Sequence, residues 1–129
     1  MDIFDILGPV MVGPSSSHTA GAARIGKMAR TLLGGEPMEA RIHLHGSFAD
    51  TGRGHGTDRA LVGGILGYHP DDERIRDSFE YAKEAGLQFS FEENFTDKEI
   101  YPNTVDIYVK DENGNEMSLR GKSIGGGNA

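Results

Sequence analysis

Twice within its first sixty residues the chain follows one order: glycines and hydroxyl side chains, a histidine, and then an amphipathic helix. The first instance is Gly13-Pro14-Ser15-Ser16-Ser17-His18-Thr19-Ala20-Gly21. Pro14 fixes its own φ and biases Gly13 away from helical geometry, so the stretch opens as a loop. Behind it, Ile25, Met28, Ala29 and Leu32 fall at i, i+3, i+4 and i+7, which predicts a helix from Ser17 to Leu33. Arg24, Lys27 and Arg30 lie off that stripe, and Gly34-Gly35 end it. The second instance runs from Gly46-Ser47 through Thr51-Gly52-Arg53-Gly54-His55-Gly56 to Thr57-Asp58. It enters a helix with Leu61, Val62, Ile65 and Leu66 on its apolar side, Thr57 or Asp58 as the cap, and Gly67 as the stop.

A helix start carries partial positive charge and unpaired N–H groups, so it suits a carboxylate or a phosphate. Serine hydroxyls can satisfy those N–H groups, and Gly21 near the inward line lets another group approach closely. His18, seven residues before Ile25, continues the inward stripe at that end. One such start also fits an ordinary capped helix with a partly buried histidine. Two of them meeting at one point would form a small-anion pocket with histidines at its edge. Imidazole exchanges a proton near neutral pH, so His18 and His55 become acid/base candidates for α-proton chemistry on a small acid.

Composition narrows the classes. A chain of 129 residues, 36% hydrophobic and 26% charged, has the size of one domain and the balance of a globular one. A net charge of −7 argues against nucleic acid or an anionic membrane as the default partner. No apolar run reaches spanning length and no signal peptide opens the chain, which makes the cytoplasm the expected compartment. With no cysteine, the chain has neither disulfides nor thiolate ligands of its own.

The remaining segments supply a sheet. Asp2 to Leu7 reads as one helical turn, and Val10-Met11-Val12 as a lead into the serine loop. Glu39 to Gly46 alternates as a strand, with Ile42 and Leu44 on one face and His43 and His45 on the other. A third helix starts at His69-Pro70-Asp71-Asp72-Glu73, buries Ile75, Phe79 and Ala82, and stops at Gly86. Phe89 and Phe91, then Val105, Ile107 and Val109, then Met117 and Leu119 alternate as three further strands. Asn113-Gly114 joins the last two as a hairpin. The expected fold is α+β: a mostly antiparallel sheet of about four strands with helices on one face.

Several chemistries fit poorly. The Gly52–Gly56 glycines have the wrong spacing for a dinucleotide fingerprint, and no strand–helix–strand frame is visible around them. Gly121-Lys122-Ser123 lacks the helix that a phosphate loop requires, and Ser17-His18 shows no strained nucleophile turn. His43 and His45, with His55, could ligate a metal, against the reading of two solvent-facing histidines on an open sheet. His69 reads as a surface residue, and Asp71-Asp72 and Glu92-Glu93 as a cap and a solvated face.

The joint pattern is similar to the β chain of bacterial iron–sulfur-dependent L-serine dehydratase. It comprises Gly13-Pro14-Ser15-Ser16-Ser17-His18-Thr19-Ala20-Gly21, Gly46-Ser47, Thr51-Gly52-x-Gly54-His55-x-Thr57-Asp58 and the closing Ser123-Ile124-Gly125-Gly126-Gly127, and the likeness spans nearly the whole chain. The resemblance implies a lyase of amino-acid catabolism that converts L-serine to pyruvate and ammonia. It implies a [4Fe-4S] cluster, with one open iron acting on the serine hydroxyl, held by the cysteines of a partner α chain. It also implies contacts between like subunits and continuation into a small ACT domain after the single domain 1–129. By motif, Ser15, Ser16, Ser17 and Thr19 would hold the substrate carboxylate, and His18 and His55 would handle protons. Thr57 and Asp58 would lie near the substrate or orient His55. A related fold is the allosteric substrate-binding domain of D-3-phosphoglycerate dehydrogenase, which implies a second reading as a non-catalytic sensor of serine or a small anion.

Overall fold

The apolar stripes become helices where their spacing places them. A computed structural model describes residues 10–13, 18–46, 56–94 and 103–123. The elements are β1 (Val10–Gly13), α1 (His18–Leu33), β2 (Pro37–Gly46), α2 (Thr57–Ile65) and a 3₁₀ turn (Glu73–Asp77). They continue with α3 (Ser78–Ala85), β3 (Gln88–Asn94), β4 (Asn103–Asp111) and β5 (Glu116–Ser123). The expected turn at Asp2 to Leu7 and the closing glycine triplet lie outside the described residues. The Asn113-Gly114 hairpin is present: Asp111 Oδ1 accepts from the Asn113 and Asn115 N–H groups at 2.9 Å, and Gly114 takes φ 88°.

The α+β class holds, but the sheet is mixed and has five strands rather than about four, in the order β1-β5-β4-β2-β3. β1 runs parallel to β5 and β2 parallel to β3, whereas β4 is antiparallel to both β2 and β5. Four strands therefore point one way and β4 alone points the other. The expected mostly antiparallel pairing holds for β4 with β2 and with β5, whereas β2 and β3 run parallel because helices lie between them. Such intervals return the chain to the same sheet edge and make the paired strands parallel. The stretch around Gly52–Gly56 is therefore bracketed by a strand–helix–strand frame after all: β2, α2, α3, β3. Val10-Met11-Val12, too short to show alternation, is a strand because its partner β5 lies far along the chain.

Sheet alternation sets the core. Ala40, Ile42 and Leu44 on β2, Val105, Ile107 and Val109 on β4, and Leu119 on β5 are buried in one cluster with Ala22, Ile25, Ala29, Leu61, Val62 and Ile65 from the helices. Phe79 of α3 packs its ring against Phe89 and Phe91 of β3, on the same side. At Gly26 and Gly64 the helices α1 and α2 approach each other backbone to backbone. A Cβ on Gly64 would collide with the Ala23 carbonyl, and one on Gly26 with the Leu61 carbonyl. Arg30 ties the far ends together, donating to the Ile65 carbonyl at 3.0 Å and pairing with Glu36 at 2.7 Å.

Candidate functional site

The crossovers decide where the helix starts lie. β1 and β2 point the same way, so Gly13 and Gly46 end at one sheet edge, and α1 and α2 are the next described elements after them along the chain. The register describes that edge: Gly13 pairs with Ser123, Lys122 with Thr104, Thr104 with His45, and Gly46 with Asn103. Three strand spacings separate Gly13 from Gly46, about 14 Å. A crevice at the strand ends, beside a helix start, is where open sheets of this kind bind ligands.

The sequence-derived residues divide unevenly over this edge. Ser15, Ser16, Ser17 and His55 lie outside the described residues. His18 and Thr19 open α1, whose first turn contains no acidic residue, so its partial charge is not offset from within. Thr57 and Asp58 open α2 and are buried at 1% and 3% exposure. The cap of α2 is neither of them but Gly56, at φ 92°, a left-handed conformation that favours glycine. Asp58 Oδ1 accepts from the Arg59 N–H at 2.8 Å, so the second start has a carboxylate of its own.

On the sheet face away from the helices, the structure brings together groups the sequence had not joined. Asp106 on β4 is gripped by Arg120 on β5, with Nε to Oδ1 at 2.7 Å and Nη2 to Oδ2 at 3.0 Å. Asp106 lies opposite His43 in register but reaches diagonally to His45, whose Nε2 stands 3.1 Å from Oδ2. Burial pushes the Asp106 carboxyl up, but the hydrogen bonds from His45 and Arg120 outweigh it and hold it below the usual carboxylate range. His43 stacks on His45 with ring centroids 4.4 Å apart. Beside them the Thr104 hydroxyl is buried with no hydrogen-bond partner among the described residues. His45, at 4% exposure, is thus not solvent-facing; it is the partner of a carboxylate, and His55, the third residue of the expected metal set, lies outside the described residues. Among the described residues no group of three or more His, Asp or Glu could hold a metal ion. His69 is exposed as expected, with its Nδ1 3.0 Å from Lys27 Nζ. The missed signal was an aspartate inside a strand, two residues after Thr104 and flanked by valine and isoleucine. A buried carboxylate there requires cationic or donor partners on neighbouring strands.

These features define a mixed-sheet α+β domain with two helix starts and a buried histidine–aspartate–arginine chain near one sheet edge. The family model described as serine dehydratase beta chain matches residues 1–129, and the chain belongs to that family. It is 52% identical over 124 residues to the L-serine dehydratase beta chain of Peptoniphilus asaccharolyticus, covering 96% of this chain and 56% of that one. It is 50% identical over 125 residues to the probable L-serine dehydratase beta chain of Bacillus subtilis, covering 97% and 56%. An L-serine dehydratase of Haemophilus influenzae is 33% identical over 150 residues, covering 98% of this chain and 33% of that one. The chain therefore spans about half the length of the beta chains it matches.

Proposed function

We propose that this chain is the β-chain part of an L-serine ammonia-lyase, which turns L-serine into pyruvate and ammonia together with an α chain. The family match and the names of the relatives support the activity. The observation that supports the site is that β1 and β2 end at one sheet edge and are followed along the chain by α1 and α2. A cluster does not fit this chain: it has no cysteine, and its described residues offer no metal-binding group. In this reading the [4Fe-4S] cluster belongs to the α chain and the catalytic unit is a cytoplasmic αβ assembly.

What this chain contributes is binding and proton handling. The substrate carboxylate sits at the start of α1, held by its N–H groups and by Ser15, Ser16, Ser17 and Thr19. His18 and His55 are the residues that take the α-proton and manage the proton that leaves as water when the Cβ–O bond breaks. Thr57 and Asp58 line the second helix start. No structural observation favours the sensing role, whereas the relatives named above favour an enzyme.

The test is anaerobic co-purification with a cysteine-bearing α chain followed by a pyruvate assay. His18→Ala and His55→Ala are each expected to lower turnover by about 100-fold or more, the scale of a lost acid/base group. Turnover near normal in both variants rejects the assignment.

A further inference from the structure

Resting on that reading, we infer that the flank of α1 turned away from α2 is the docking surface for the α chain, which sets apolar side chains on Met28 and Leu32 and a carboxylate on Arg24. Arg24, Met28 and Leu32 recur at i, i+4 and i+8, so they form one stripe along the helix. The rest of the circumference is taken. Gly26 and Arg30 meet α2, Ile25 lies against Gly121 of β5, and Ala22 and Ala29 belong to the core. The stripe itself stays in solvent: Arg24 is exposed, Met28 is 37% exposed and Leu32 44%. Scattered apolar residues on a surface are ordinary. Here two of the three large apolar side chains exposed among the described residues fall on a single stripe.

Charge singles out the same face. The chain carries a net charge of −7, yet α1 holds Arg24, Lys27 and Arg30 and no acid. Arg30 is turned to Glu36 and Lys27 to His69, whereas Arg24 stands one turn before Met28 on the stripe. An apolar pair with a cation at its margin complements a partner surface of apolar residues edged by carboxylates. Position selects the α chain as that partner. The proposed site lies at the start of α1, and this chain has no cysteine, so the polypeptide that completes the site has to reach that start. α2 occupies one flank of α1, and β4 and β5 lie beneath it. The stripe is the flank left open, and Gly21 continues it toward the helix start.

The test is the affinity of the intact chain for the cysteine-bearing α chain, measured by anaerobic titration calorimetry. Met28→Asp combined with Leu32→Asp is expected to raise Kd about tenfold or more, the scale of lost interface anchors, with the thermal midpoint of the isolated chain retained. Arg24→Glu should slow association and weaken its dependence on salt, and Arg24→Lys should restore both. Tyr81→Asp, on the equally exposed Tyr81 of α3, should leave Kd within about twofold. If the double variant fails to fold, the Arg24 pair decides: an association rate unchanged in Arg24→Glu overturns the surface. Wild-type affinity in a folded double variant, or equal loss in Tyr81→Asp, also overturns it. So does a double variant that abolishes self-association of this chain yet binds the α chain normally, since the stripe then joins two copies. In each of these cases a complex that still makes pyruvate leaves the lyase reading intact. A wild-type chain that forms no complex with the α chain overturns that reading and the surface together.

Discussion

At the residue scale, Asp106 carries the most consequence for its size. Removing its carboxylate leaves the Arg120 guanidinium and the His45 ring facing each other within a buried sheet face. Asp106→Ala is therefore expected to lower stability by about 3 kcal/mol, the scale for breaking a buried ion pair, as measured by urea unfolding. The pH dependence follows from the direction of its shift. The folded carboxyl titrates below its unfolded value of about 3.9, so its contribution is complete above that pH and fades as pH falls through the folded value. The stability gap between wild type and Asp106→Asn should hold steady near neutrality and close in acid. Alternation had put His43 and His45 on one face, and it was right. It could not show which of them would find a carboxylate 61 residues away, because the diagonal reach of Asp106 depends on strand order.

At the element scale, α1 and α2 were legible because their apolar residues recur at helical spacing, and α1 begins within one residue of the expected Ser17. Strand direction was not legible. Ile42 and Leu44 alternate in the same way whether their neighbours run parallel or antiparallel, and only the crossing helices distinguish the two. The third helix was placed correctly but opens as a 3₁₀ turn, with Asp72 accepting from the Arg74 N–H as its cap. The contact between α1 and α2 escaped attention because glycine carries no hydropathy signal. Gly64→Ala and Gly26→Ala would each drive a methyl into the facing helix backbone, which cannot yield as a side chain does. Each is expected to cost about 1–3 kcal/mol, seen as a lowered thermal midpoint. Ala29→Gly, elsewhere on α1, should cost no more than about 1 kcal/mol of helix propensity plus its lost packing.

At the scale of the whole molecule, the motifs carried the family but the geometry carried the site. The serine and glycine stretches could be recognised from their order alone, yet that β1 and β2 end at one sheet edge depends on strand directions that no local pattern announces. If the complete αβ assembly is the binding unit, L-serine should raise its thermal midpoint. A concentration near 100 times Kd corresponds to about 2.7 kcal/mol. The same serine should leave this chain by itself nearly unmoved. An equal shift in the isolated chain would instead favour a sensing module.

The glycine crossing also has a functional corollary. Gly26 and Gly64 fix the angle between two helices whose opening turns flank the proposed ligand, and neither glycine belongs to the ligand-contacting set. A single added methyl at Gly64 should therefore weaken serine binding by splaying the two arms of the clasp. Selection for a substrate can in this way act on a residue whose only attribute is the lack of a side chain.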